Sequence, residues 1–177
     1  MNRYLLINII IIFSILMACA TTASKPPVVR KVGDNEYNIN GKFDKEKYDK
    51  IIEIVKDNPN KTLNFYVSSW GGTSDDLFEA MDAVYTHGQV HWYSLDHCDS
   101  ACAVMALSTR HAHGNFRLHS FYKHHHHHVE ASPDFNEKVL NKLGSYGYNQ
   151  AKLHHMFNSV EKLCPFFMDE TLIIEEE

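Results

Sequence analysis

The sequence has no surplus of positive charge. Its 17 Lys and Arg stand against 22 Asp and Glu, a formal net charge of −5 over 177 residues. Nucleic-acid binding rests largely on neutralising phosphates, and a mildly acidic chain offers no such footprint. There is no internal repeat, which excludes a fibrous architecture. No apolar run is long enough to span roughly 30 Å of hydrocarbon; the longest, from Leu5 to Ala18, falls short. No His-Glu-x-x-His pattern exists, so a catalytic zinc of that type is absent. What remains, with 44% hydrophobic and 22% charged residues, is a globular chain with a real core, one domain long or two at most. The residue in excess is histidine: 13 copies, five of them consecutive.

Residues 1–18 read as an export signal. Arg3 gives a short positive start, and the apolar run that follows has the length of a signal core. Two processing readings compete at its end. Leu16-Met17-Ala18-Cys19 resembles a bacterial lipobox, in which Cys19 is acylated and anchors the protein to a membrane. Ala18-Cys19-Ala20 also satisfies the small-x-small rule of ordinary signal peptidase. The lipoprotein reading is preferred, because a Cys directly after such a run is otherwise unusual. An uncleaved anchor is the third option. In each case the body of the protein lies outside the cytoplasm, in a bacterial periplasm or outer envelope. Residues 19–27, with Pro26-Pro27, then form a tether, and 28–177 form the folded domain.

Within that domain, β-like pieces at Val28-Val29-Arg30 and Tyr37-Asn38-Ile39 precede a turn at Asn40-Gly41. Tyr48, Ile51, Ile52 and Val55 recur at helical spacing after Asp44, a candidate N-cap. Thr62 to Ser68 reads as a strand, and Leu77, Phe78, Ala80, Met81, Val84 and Tyr85 mark the buried face of a second helix. Gln89 to Leu95 is again β-like, Ser100 to Ser108 is a small-residue helix, and Phe116 to Phe121 is another strand. This alternation predicts an α/β fold with a parallel sheet. Two further helices, Phe135–Leu143 and Ala151–Lys162, make the last part helical.

Chemistry in such folds gathers where strands give way to helices. The first such junction is Ser68-Ser69-Trp70-Gly71-Gly72-Thr73, whose glycines let a substrate approach the main chain and whose N–H groups suit a developing oxyanion. A plain turn explains it equally. The second is Cys98-Asp99-Ser100-Ala101-Cys102, where Ser100 is either a helix N-cap or a nucleophile with small neighbours. The third element is Arg117-Leu118-His119-Ser120; strand alternation would put His119 on the face of Arg117, opposite Leu118. One imidazole near a serine is the minimum for general-base activation.

Taken in order, Val67-Ser68-Ser69-Trp70-Gly71-Gly72, Cys98-Asp99-Ser100-Ala101-Cys102 and Leu118-His119-Ser120 resemble the proteolytic subunit of the Clp protease, and more closely its exported bacterial relatives. The resemblance covers roughly residues 36–122. It implies a crotonase-like spiral of βαβ units (Clp/crotonase superfamily), with Ser100 as nucleophile, His119 as general base and the N–H groups of Gly72 and Ala101 as oxyanion hole. The implied reaction is acyl transfer to serine, then hydrolysis of a peptide or protein substrate, with no cofactor and with self-association into an oligomer. Three departures stand out. Trp70 replaces the family's usual proline. The interval between Ser100 and His119 is short, so the loop carrying His111 and His113 is trimmed. The family's third triad residue falls near Glu161-Lys162-Leu163-Cys164-Pro165-Phe166-Phe167-Met168-Asp169; Cys164 or Pro165 aligns with it best, Glu161 and Asp169 are the neighbouring acids, and Asp169 is the preferred one.

Cys98 and Cys102 would sit about 6 Å apart on a helix, within disulfide reach; two small buried residues packing the helix is the alternative. The run His124, His125, His126, His127, His128 suits a loop that captures Zn²⁺, Ni²⁺ or Cu²⁺ loosely, or else a solvated insertion with incidental metal affinity. Two functions therefore compete: an exported Clp-like serine hydrolase, and a non-catalytic module that keeps the fold for assembly or metal capture. An acyl-CoA enzyme of crotonase type is a third reading, which the export signal opposes.

Overall fold

A computed structural model of the chain describes residues 28–125, 128–157 and 164–166. Its centre is a five-stranded sheet in the order β1(Val29–Gly33), β2(Glu36–Asn40), β3(Leu63–Ser69), β4(Val90–Cys98), β5(His111–His113). β1 and β2 form an antiparallel hairpin, turned at Asn35 with φ 62. β2, β3, β4 and β5 then run parallel. Parallel neighbours need crossovers. α1(Lys45–Asp57) joins β2 to β3, α2(Leu77–His87) joins β3 to β4, and α3(Ala101–Leu107) joins β4 to β5.

Local chemistry accounts for these elements. In β3 strict alternation buries Leu63, Phe65, Val67 and Ser69 and leaves Asn64, Tyr66 and Ser68 on the other face. The carboxylate of Asp44 caps α1 by accepting the Lys47 N–H at 3.1 Å, and α1 buries Tyr48, Ile51, Ile52, Ile54 and Val55. Gly88, at φ 71, closes α2. α3 is different: all seven of its residues are buried, so small side chains are what let it lie inside the molecule. Trp92 is fully buried beside Phe65 and Phe43, with ring centroids 5.6 and 6.1 Å away.

The α/β architecture agrees with the sequence expectation, but five features differ. The strand expected over Phe116 to Phe121 stops early: β6(Phe116–Leu118) ends before His119, because Ser120 and Phe121 bond to a later helix instead of a neighbouring strand. His111 and His113, expected in a trimmed loop, form β5 at the edge of the main sheet; three residues are too few to show a period in sequence. The histidine run, expected as a loop, enters an antiparallel hairpin of β7(Tyr122–His125) and β8(His128–Ala131), pairing His124 with Val129 and His125 with His128. His126 and His127 lie outside the described residues. α4(Pro133–Ser145) and α5(Gln150–Met156) supply the helical C-terminal part, the second ending sooner than expected. Finally, β9(Cys164–Phe166) pairs antiparallel with β6.

The outer face of the sheet carries stacked rings: Tyr66 on Tyr93, Tyr93 on His113 and His91 on His111, with centroids 5.2, 4.8 and 4.5 Å apart. His91 is held below its ordinary pKa of 6.5, first by burial and then by the nearby His111 and His113. A depressed imidazole binds fewer protons in the folded chain than in the unfolded one. Its contribution to stability is therefore present above pH 6.5 and is lost as the pH falls through the folded value. The denaturation midpoint of His91→Gln should fall less steeply with acidification than that of the parent; identical slopes below pH 6.5 would refute the sign.

Candidate active site

The site is assembled where β3 and β4 end. At the end of β3, Ser69 is buried and its Oγ accepts the Gly71 N–H at 3.1 Å. Gly71 then takes φ 93, a conformation that favours glycine. Space forbids a side chain there as well. A Cβ on Gly71 would sit 2.6 Å from Ser100 Cβ and 2.8 Å from Asp99 O. The glycine turn and the serine turn are thus in direct contact.

Gly72 is fixed from the opposite side. Phe43 bridges it as a parallel strand would: Phe43 N–H donates to Gly71 O at 2.8 Å, and Thr73 N–H donates to Phe43 O at 2.9 Å. In such a bridge the central residue's own N–H points away from the partner. The Gly72 N–H therefore faces away from Phe43, and Gly72 lines the cavity described below.

Beyond β4 the chain turns sharply. Ser100 has φ 54 and ψ −122, the first central position of a type II′ turn, where glycine is ordinarily found. A non-glycine residue held there stores of order 1–3 kcal/mol and persists only when its surroundings fix it. They do so here. Asp99 N–H donates to Ser69 O at 2.9 Å, and Ser100 N–H donates to Arg117 O at 2.9 Å. The Asp99 carboxylate, 2% exposed, receives two 2.7 Å hydrogen bonds from the Arg117 guanidinium. This bidentate pair ties the turn to β6.

A disulfide joins Cys98, the last residue of β4, to Cys102 in α3, with a Cα separation of 5.2 Å. It spans the strand-to-helix turn rather than one turn of helix, and Ser100 lies at its midpoint. For so short a loop, constraining the unfolded chain contributes about 2 kcal/mol.

Ser100 and His119 are both nearly buried, 7% and 9% exposed, and both line one cavity of about 780 Å³ together with Trp70, Gly71, Gly72 and Phe121. Among the described residues no hydrogen bond joins the two side chains. His119 Nδ1 lies 2.6 Å from Ser120 O. A carbonyl oxygen only accepts, so Nδ1 is the donor of this hydrogen bond, the arrangement that in a neutral imidazole leaves the lone pair on Nε2. Ala101 opens α3; its backbone N would lie 3.2 Å from a Cβ on Gly71, which places it against the same turn. As the first residue of a helix, its N–H has no intrahelical acceptor.

Trp70 stands at the rim, 68% exposed, stacked on His97 with centroids 3.9 Å apart and with the Arg117 guanidinium 5.3 Å from its ring. Asp96, beside His97 at 2.9 Å, is held below the usual carboxylate range, first by a hydrogen bond from the Ser68 hydroxyl and then by His97.

Asp169 and Cys19 lie outside the described residues. The β6–β9 register sets Cys164 opposite Leu118, next in sequence to His119. Among the described residues no cluster of three or more His, Cys, Asp or Glu is arranged to hold a metal. Sequence reasoning missed Asp134, which lines the same cavity from the first turn of α4. Ser132-Pro133-Asp134 is a legible helix start, but nothing in it says which loop the helix faces.

No protein-family model and no curated protein matches the chain. Solved structures do. The ClpP protease catalytic domain from Plasmodium falciparum superposes with a TM-score of 0.51 at 13% identity, covering 73% of this chain and 74% of that one. The 1510-N membrane-bound stomatin-specific protease, as a lysine-to-alanine mutant in complex with a substrate peptide, gives 0.54 at 13% identity over 68% and 64%. A serine-to-alanine mutant of the same protease gives 0.50 at 16% identity over 68% and 67%. At such identities the likeness speaks for the backbone alone, and it says that this chain has the ClpP/crotonase fold.

Proposed function

We propose that this protein is a Clp-like serine hydrolase acting on peptide or similar amide bonds. The observation that carries the reading is the conformation of Ser100: a serine in a glycine's backbone geometry, held at a strand-to-helix turn, lining one cavity with His119. His119 Nε2 takes the hydroxyl proton as Ser100 Oγ bonds to the substrate carbonyl carbon. The N–H groups of Gly72 and Ala101 stabilise the resulting oxyanion. Collapse breaks the C–N bond, the leaving amine takes the proton from His119, and water then repeats the sequence on the acyl-serine. On this proposal the enzyme works outside the cytoplasm, anchored through Cys19, self-associates and needs no cofactor.

A second reading has one observation of its own. The segment that aligns with the family's triad acid reads Cys164-Pro165 and carries no carboxylate there, which supports a non-catalytic module whose His124–His128 run would capture metal. A fluorophosphonate probe separates the two. The hydrolase should label once per chain, and His119→Ala should reduce the labelling rate by about 100-fold or more. Folded protein that does not label, or a His119→Ala variant that labels at the parental rate, would favour the module.

A further inference from the structure

We propose that the imidazole of His119 is oriented by the main chain, through the Ser120 carbonyl, and that Asn136 is the residue that positions this carbonyl. The proposal deepens the hydrolase reading and rests on it for its kinetic consequence, although the orientation itself can be read without activity.

The argument turns on one peptide unit. Its C=O end, Ser120 O, receives the Nδ1–H of His119 at 2.6 Å. Its N–H end, Phe121 N, donates to Asn136 Oδ1 at 2.8 Å. In a trans peptide these groups point in opposite directions, so His119 and Asn136 grip the same plane from its two edges. The second arm of Asn136 completes the grip: Nδ2 donates to Ser120 Oγ. The amide's orientation follows from its partners, since a backbone N–H only donates and must therefore face the oxygen.

Asn136 is itself well held. It is 8% exposed, lies on α4 and donates its backbone N–H to Ser132 O at 3.0 Å. The same helix start anchors the far side of the segment, where Ser132 N–H donates to Phe121 O at 2.7 Å. β6 ends at Leu118, and among the described residues no strand pairs with 119–121. α4 supplies the hydrogen bonds that a sheet would otherwise give. Bonds in series polarise one another, so the N–H bond to Asn136 strengthens the carbonyl as an acceptor. A neutral carbonyl fixes the tautomer needed for Nε2 to act as base, while stabilising the imidazolium less than a carboxylate would.

The decisive experiment is ¹⁵N NMR of the histidine rings in the full chain, with His119 assigned by its disappearance in His119→Gln. The expected spectrum shows His119 protonated at Nδ1 and bare at Nε2. In Asn136→Leu, which removes both arms of the grip, it should show a mixture of tautomers. In the same variant the limiting rate of fluorophosphonate labelling should fall about 10- to 100-fold, with the half-saturating probe concentration changed less than about threefold. Asn136→Asp keeps an acceptor for Phe121 N–H and should recover most of the rate; it also serves if Asn136→Leu does not fold. A parent spectrum with the opposite tautomer, or an Asn136→Leu variant with the parent's tautomer and labelling rate, overturns the proposal. If the parent shows the expected tautomer but never labels, the hydrolase reading fails and the orientation stands.

Discussion

Ser100→Ala should abolish fluorophosphonate labelling and any amide hydrolysis, a loss of at least about 10³-fold, while leaving the melting temperature close to that of the parent. The two halves of this expectation have separate causes. On the hydrolase reading the Ser100 hydroxyl is the nucleophile, so its removal takes away the atom that would be acylated. The backbone strain at φ 54 and ψ −122 belongs to any residue with a Cβ, so alanine inherits it unchanged. Ser100→Gly therefore makes the sharper experiment. It should be equally unreactive, yet more stable than the parent by about 1 kcal/mol, because glycine adopts this geometry without strain. A single position at which reactivity and stability move in opposite directions is the signature of a site under functional constraint. Labelling that survives Ser100→Ala would remove Ser100 from the mechanism. A glycine variant less stable than the parent would remove the strain argument.

The second large effect is expected at Gly72. A Cβ there would stand 1.8 Å from the carbonyl oxygen of Phe43, with the Phe43 C and N atoms at 2.5 and 2.6 Å. These are backbone atoms, and no rotamer change relieves the clash. Gly72→Ala must open the bridge to Phe43 and with it the hydrogen bonds of Phe43 to Gly71 O and of Thr73 to Phe43 O. Two hydrogen bonds at about 1 kcal/mol each, with the cost of overpacking, give a loss of about 3 kcal/mol, or about 10 °C in Tm. Labelling should fall further than the loss of folded protein explains, because the displaced N–H is one of the two proposed for the oxyanion. Thermal denaturation and labelling at a temperature where the variant is fully folded separate these contributions. A variant with parental Tm would show that the 71–73 segment has slack that the structure does not.

How far the sequence carried this picture depended on whether a feature announces itself locally. Alternation in Leu63–Ser69 and the helical spacing of Tyr48, Ile51, Ile52 and Val55 are local, and the βαβ architecture follows from them. The glycine pair and the small residues around Ser100 are local too; they mark two turns, and the structure brings both turns to one cavity. The extended look of Phe116 to Phe121 predicts a strand through His119, and the structure differs for a non-local reason. The strand ends at Leu118 because Ser120 and Phe121 bond to Asn136, 16 and 15 residues further on. β5 is three residues long, and the hairpin of β7 and β8 runs through a segment whose composition says only that it is rich in histidine. The clamp between Asp99 and Arg117 joins residues 18 apart that carry no mutual signal in the chain. Tertiary partners of this kind decide geometry, and periodicity does not report them.

The placement of the two tryptophans gives the protein a built-in optical readout. Trp92 is sealed in the core with no exposed surface, whereas Trp70 stands 68% exposed at the rim of the cavity, its ring against His97. Their emission should separate, blue for the first and red for the second. A molecule entering the cavity disturbs the red component and leaves the blue one unchanged, while unfolding shifts the blue one. Occupancy of the site can thus be titrated by fluorescence against a panel of candidate compounds before any turnover is observed, with Trp92 serving as an internal reference for the integrity of the fold.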